Sequence, residues 1–146
     1  MKKNNSPEMK LVNSFEKYCN QNNDFTFIHK ETGKQANHMD VECTYNNEYI
    51  RLEAKAKTSN FYQAVLLIFG DILKGRELSL ANNNYNYKVS YGILIPEANE
   101  IDFKKQWENI SKKDWKSFGE KYNVCYVIVC DVNKSDVNIY DWKNYI

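Results

Sequence analysis

Two runs of alternating residues, 38–45 and 49–57, stand on either side of Asn46-Asn47, and this junction constrains the chain more than any other feature. Alternation of apolar and polar residues is the period of a strand, and a pair of asparagines tolerates the left-handed backbone of a tight two-residue turn, so the two runs read as a β-hairpin. In that register Tyr45 faces Glu48, Glu42 faces Arg51, and Asp40 faces Glu53. Met39, Val41 and Cys43 then share one face with Ile50, Leu52, Ala54 and Ala56, while Asp40, Glu42, Arg51, Glu53, Lys55 and Lys57 share the other. A one-residue slip would turn the apolar set outward, so the pattern holds the register in place. Glu42 opposite Arg51 is a favourable cross-strand pair. Asp40 opposite Glu53 sets two like charges about 5 Å apart, which costs stability unless a cation lies between them.

The elements around the hairpin follow from periodicity. Ser6-Pro7-Glu8 is a helix start, and Met9, Val12, Phe15 and Cys19 recur at helical spacing up to the Asn20-Gln21-Asn22-Asn23 stop. Residues 25–29 predict a strand, and Glu31-Thr32-Gly33-Lys34 a turn. Asn60 with Gln63 resembles a capping box ahead of an apolar stripe through Phe61, Ala64, Val65, Ile68, Ile72 and Leu73, which predicts a mostly buried second helix. Residues 88–95 predict a strand that stops at Pro96, the stretch 101–122 a helical segment, 123–130 a central strand and 136–142 an edge strand. The expected architecture is an α/β mixed sheet flanked by helices, in the order α-β-β-β-α-β-α-β-β, within one domain spanning residues 1–146.

Two carboxylates converging on a hairpin, with a lysine one pleat along, supply what Mg²⁺ asks of a protein: few oxygen ligands, with retained waters and phosphate oxygens completing the octahedron. Asp40 and Glu53 are the expected ligands, with the Ala54 carbonyl as a further one, and Lys55 is placed to orient water and offset developing charge. The pattern at His38-Met39-Asp40 and Leu52-Glu53-Ala54-Lys55, with twelve residues between the two acids, resembles the PD-(D/E)xK, or restriction-endonuclease-like, nuclease superfamily. That resemblance implies a core order αβββαβ, here with an added helical segment and C-terminal strands, and a Mg²⁺-dependent nuclease, with Mn²⁺ as substitute, acting on DNA as an endonuclease. It also implies an acid from the first helix, for which Glu16 is preferred over Glu8, and a polar residue early in the helix after the motif, which Gln63 supplies. The charged face is accordingly expected beside the first helix, with Glu16 pointing into it. Met39 stands where the family's motif has proline, and Leu67 stands four residues after Gln63 where the exonuclease-like branch has tyrosine.

Other features set the rivals. Lys57, Lys74 and Arg76 are candidate phosphate contacts, and Tyr85 and Tyr87 in an Asn-rich loop are candidate base-stacking groups. His38, Asp40 and Glu42 on one strand face form a weaker transition-metal pattern. Trp107, Trp115, Phe118 and Tyr122 read as core before they read as a partner surface. Cys19, Cys43, Cys125 and Cys130 show no CxxC spacing and are read as buried free thiols. The formal net charge is only +1, so any nucleic-acid contact rests on a local patch, and a binding module without turnover or a protein-interaction domain remain the alternatives. No apolar run spans a bilayer and the N-terminus is polar, so a cytoplasmic protein with no membrane partner is expected, with a homodimer as one way to cut two strands.

Overall fold

Asn46 and Asn47 adopt φ of 50° and 69°, the left-handed pair that a two-residue turn joining twisted strands requires. The computed structural model describes residues 6–30, 40–56, 68–74 and 89–146, with Asp40 through its backbone. The turn joins β2 (Asp40–Tyr45) to β3 (Glu48–Ala54), and every pair expected from the sequence is present, from Tyr45 with Glu48 to Asp40 with Glu53. Ahead of them stand α1 (Pro7–Asn20) and β1 (Phe25–Lys30). Residues 68–74 are helical and are called α2. Then follow β4 (Val89–Pro96), a 3₁₀ turn, α3 (Glu100–Trp107), α4 (Lys112–Tyr122), β5 (Val124–Asp131), β6 (Asp136–Asp141) and a closing 3₁₀ turn. The strands form one sheet in the order β1-β2-β3-β4-β5-β6, parallel at β3–β4 and β4–β5 and antiparallel elsewhere. This is the mixed sheet flanked by helices that the sequence predicts, with its αβββαβ core order.

Each sheet face has its own core. On one, Val41, Cys43, Ile50, Leu52, Ala54, Leu94 and Ile128 pack against Met9, Leu11, Val12 and Phe15 of α1. On the other, Tyr91, Ile93, Ile95, Val127 and Val129 pack against Ile68 and Ile72 of α2 and against Phe103, Trp107 and Trp115. Alternation along β3 therefore sends Leu52 and Ala54 towards α1 and Arg51, Glu53 and Lys55 towards α2. The expectation that the charged face lies beside the first helix is corrected here: α1 covers the apolar face, because its own apolar stripe needs an apolar partner.

Ser6 caps α1 by accepting a hydrogen bond from the Met9 N–H, with Pro7 in the first turn, as the sequence predicts. The helical stretch 101–122 resolves into two helices, because Ser111 caps α4 by accepting from the Asp114 N–H. Trp107 and Trp115 are buried, as core residues should be. Trp115 stacks on Trp142 with ring centroids 3.9 Å apart, and each indole N–H donates to the other residue's carbonyl. Gly92 is required where it stands: a Cβ there would lie 2.7 Å from the Tyr126 carbonyl on the neighbouring strand. Cys19, Cys43 and Cys130 are buried free thiols, and burial pushes the Cys43 thiol up to about 12. Among the described residues, no helix is long and apolar enough to cross a membrane.

Candidate active site

The β2–β3 ladder puts the Asp40 and Glu53 backbones directly across from each other, the last pair described in that ladder. Glu53 is only 6% exposed, and so is Lys55 two residues on. The Lys55 backbone N–H donates to the Leu94 carbonyl, so the residue stays fixed to β4 just past the end of β3. Its ammonium lies 3.2 Å from the Asp71 carboxylate on α2, in a pair whose side chains are 8% and 11% exposed. A small pocket between β3, β4 and α2 is lined by Arg51, Glu53, Asp71, Ile72 and Tyr91. Beside it, Tyr49 donates its hydroxyl to Glu42, and Arg51 Nε lies 3.9 Å from the same carboxylate. The cross-strand pair of Glu42 and Arg51 is therefore present.

Glu8, in the first turn of α1, feels the charges of Lys55 and Asp71. Burial pushes its carboxyl above the usual range, the Lys55 charge pulls it back, and the Asp71 charge adds to the rise. Its Oε2 is buried and has no hydrogen-bond partner among the described residues. A half-buried carboxylate with an oxygen in that state, under the charges of Lys55 and Asp71, is chemistry that suits a hard cation. Among the described residues, no three His, Cys, Asp or Glu side chains form a metal cage on their own. Mg²⁺ does not ask for one, since it keeps most of its waters and takes one or two carboxylates.

Glu16 does not join this cluster. It accepts from Lys30 Nζ at 2.8 Å, and the same ammonium donates to Asn13, so Glu16 belongs to the α1–β1 flank. Helix geometry gives the reason. Glu8 precedes the buried Leu11, Val12 and Phe15 by three, four and seven residues and so shares their face, whereas Glu16 stands at its edge and about 12 Å further along the axis. Ala54 turns its side chain into the α1-side core. Lys74 is exposed at the described end of α2. Gln63, Lys57, Arg76, Tyr85 and Tyr87 lie outside the described residues, as does His38.

Asp71 was not anticipated from the sequence. Its signal was available: it is the only acidic residue in the apolar segment 61–74, flanked by Ile68 and Ile72. An acid held on a buried helix face needs a cation or a ligand nearby.

No protein-family model matches the chain, and no curated protein sequence matches it. Among solved structures it is similar to an XisH family protein from Nostoc punctiforme, with 12% identity and a TM-score of 0.57 over 91% of this chain and 98% of that one. It is also similar to an FdxN element excision controlling factor protein from Anabaena variabilis, with 13% identity and a TM-score of 0.59 over 92% and 98%. At such identities the likeness is one of fold, and it runs through nearly the whole of both chains.

Proposed function

We propose that this protein is a metal-dependent nuclease that hydrolyses phosphodiester bonds in DNA, with Mg²⁺ or Mn²⁺ held by Glu53 and Asp40. The observation that carries the reading is the direct cross-strand pairing of Asp40 with Glu53, one pleat before a buried lysine. A like-charge pair at that position carries a cost that a bound cation would offset. The bound metal would supply Lewis acidity and a more acidic water. Lys55 brings a fixed positive charge to the phosphate oxygens and donates to the attacking water or to the charge that develops on phosphorus. Glu8, desolvated and within reach of the Lys55 and Asp71 charges, is a further carboxylate for the metal or its waters and replaces Glu16 in that role. Arg51, lining the neighbouring pocket, is placed to meet a flanking phosphate.

DNA is the favoured substrate because the fold is shared with proteins of which one is named for controlling the excision of an element. The test is cleavage of supercoiled, linear, junction-containing and single-stranded DNA, and of RNA, in Mg²⁺ and in Mn²⁺, by wild type and by Glu53→Gln. Metal-dependent cleavage lost in Glu53→Gln is expected. Binding without cleavage of any substrate would replace the reading with a nucleic-acid-binding module on this fold.

A further inference from the structure

The Lys55 ammonium lies 3.2 Å from the Asp71 carboxylate, so its partner comes from α2 rather than from the strand that precedes it. The helix that carries Asp71 is firmly seated. Ile68 and Ile72 are 0% and 2% exposed in the core under β4, and Phe69 packs among Trp115, Phe118 and Trp142 with ring centroids 4.7 to 6.0 Å away. At the other end, Lys55 is tied to β4 through its own N–H. Both halves of the ion pair therefore rise from rigid elements, which is how a charge is kept in one place to meet a reacting group. A lysine side chain has four rotatable bonds and would otherwise sample many positions.

We propose that Asp71 is a positioning residue for phosphodiester cleavage: from α2 it holds the Lys55 ammonium in the orientation in which it meets the scissile phosphate. This rests on the nuclease reading above for its chemical consequence, but the holding itself can be observed without turnover. Lys55 then acts as a placed charge, and the identity of α2, not the ExK motif alone, decides whether the motif works.

The test uses wild type, Asp71→Asn, Asp71→Glu, Asp71→Ser, Lys55→Ala and the double variant Asp71→Asn with Lys55→Ala, each checked for folding by circular dichroism. In proton–nitrogen NMR of lysine ammonium groups, wild type should show a Lys55 signal slow to exchange with water, identified by its loss in Lys55→Ala. The signal should vanish in Asp71→Asn and Asp71→Ser and persist in Asp71→Glu. In cleavage, Asp71→Asn should lower kcat by about 10- to 100-fold with KM little changed, as expected when an aligned group is displaced. Asp71→Glu should recover part of the loss, and Asp71→Asn should have no further effect once Lys55 is alanine. A Lys55 signal unchanged by Asp71→Asn and Asp71→Ser overturns the proposal, as do multiplicative losses in the double variant. If the NMR signals behave as expected but wild type cleaves nothing, the holding role stands and the nuclease reading falls.

Discussion

The two faces of β3 differ in a way that separates folding from function. Leu52 and Ala54, 1% and 0% exposed, are covered by α1 and sit in an apolar core. Glu53 and Lys55, each 6% exposed, lie on the face towards α2 and are just as hidden from water, yet they carry charge. Both faces are buried, but one gains from burial and the other is penalised by it. A chain optimised for stability alone would have filled the second face with the same aliphatic residues. That it keeps Glu53, Lys55 and Asp71 there is the reason we propose the α2 face as the working one.

The sharpest break between the faces should appear in stability. Ile50→Ala, on the α1 side, removes a fully buried side chain and should destabilise by about 2–5 kcal/mol, read by urea or thermal unfolding. Glu53→Gln, three residues on and on the other face, should cost far less or raise stability, because it removes one of two acids set opposite each other in the β2–β3 ladder. A loss as large as that of Ile50→Ala would show that Glu53 is part of the structural frame.

Metal should sharpen the same contrast. Mg²⁺ at about 100 times its dissociation constant should stabilise wild type by about 2.7 kcal/mol, and should leave a double variant Asp40→Asn with Glu53→Gln unmoved. An equal rise in melting temperature in both proteins would remove the metal from this face.

Smaller effects distinguish the two acids of α1. Because burial raises the Glu8 carboxyl above its ordinary value of 4.5, the folded protein holds that proton more tightly than the unfolded chain does. The group therefore favours folding at low pH and loses that contribution as pH rises through its folded value. Glu8→Gln should melt higher than wild type at neutral pH without metal, and the gap should close below the ordinary carboxylate range. A gap that widens on acidification would contradict the burial argument. Glu16→Gln removes only a partly exposed pair with Lys30, worth about 0–1 kcal/mol, and should leave cleavage unchanged.

How much of this was legible in the sequence depended on whether local pattern or long-range packing decides the feature. The hairpin register, the Asn46-Asn47 turn, the Ser6 cap and the order of strands follow from period and turn chemistry, and each stands as expected. Glu16 was preferred over Glu8 by position along the helix, which does not say which acid shares the buried face of Leu11 and Phe15; the structure pairs Glu16 with Lys30. Asp71 was missed because its partner, Lys55, is sixteen residues away, and only the packing of α2 across the sheet brings them together. The break between α3 and α4 was hidden by apolar spacing that continues through it, although Ser111 carried the capping signal.

We propose that Lys55 on the α2 face takes part in breaking a phosphodiester bond. The direct measurement compares wild type with Lys55→Ala on the DNA form that wild type cleaves best, with cleavage in Mg²⁺ and binding in Ca²⁺ followed in parallel. Loss of the lysine should lower the cleavage rate by about 10²-fold or more, as removal of a charge-stabilising donor does. Affinity should fall only slightly, since one lysine releases about one counterion. Cleavage by Lys55→Ala at the wild-type rate would contradict the account.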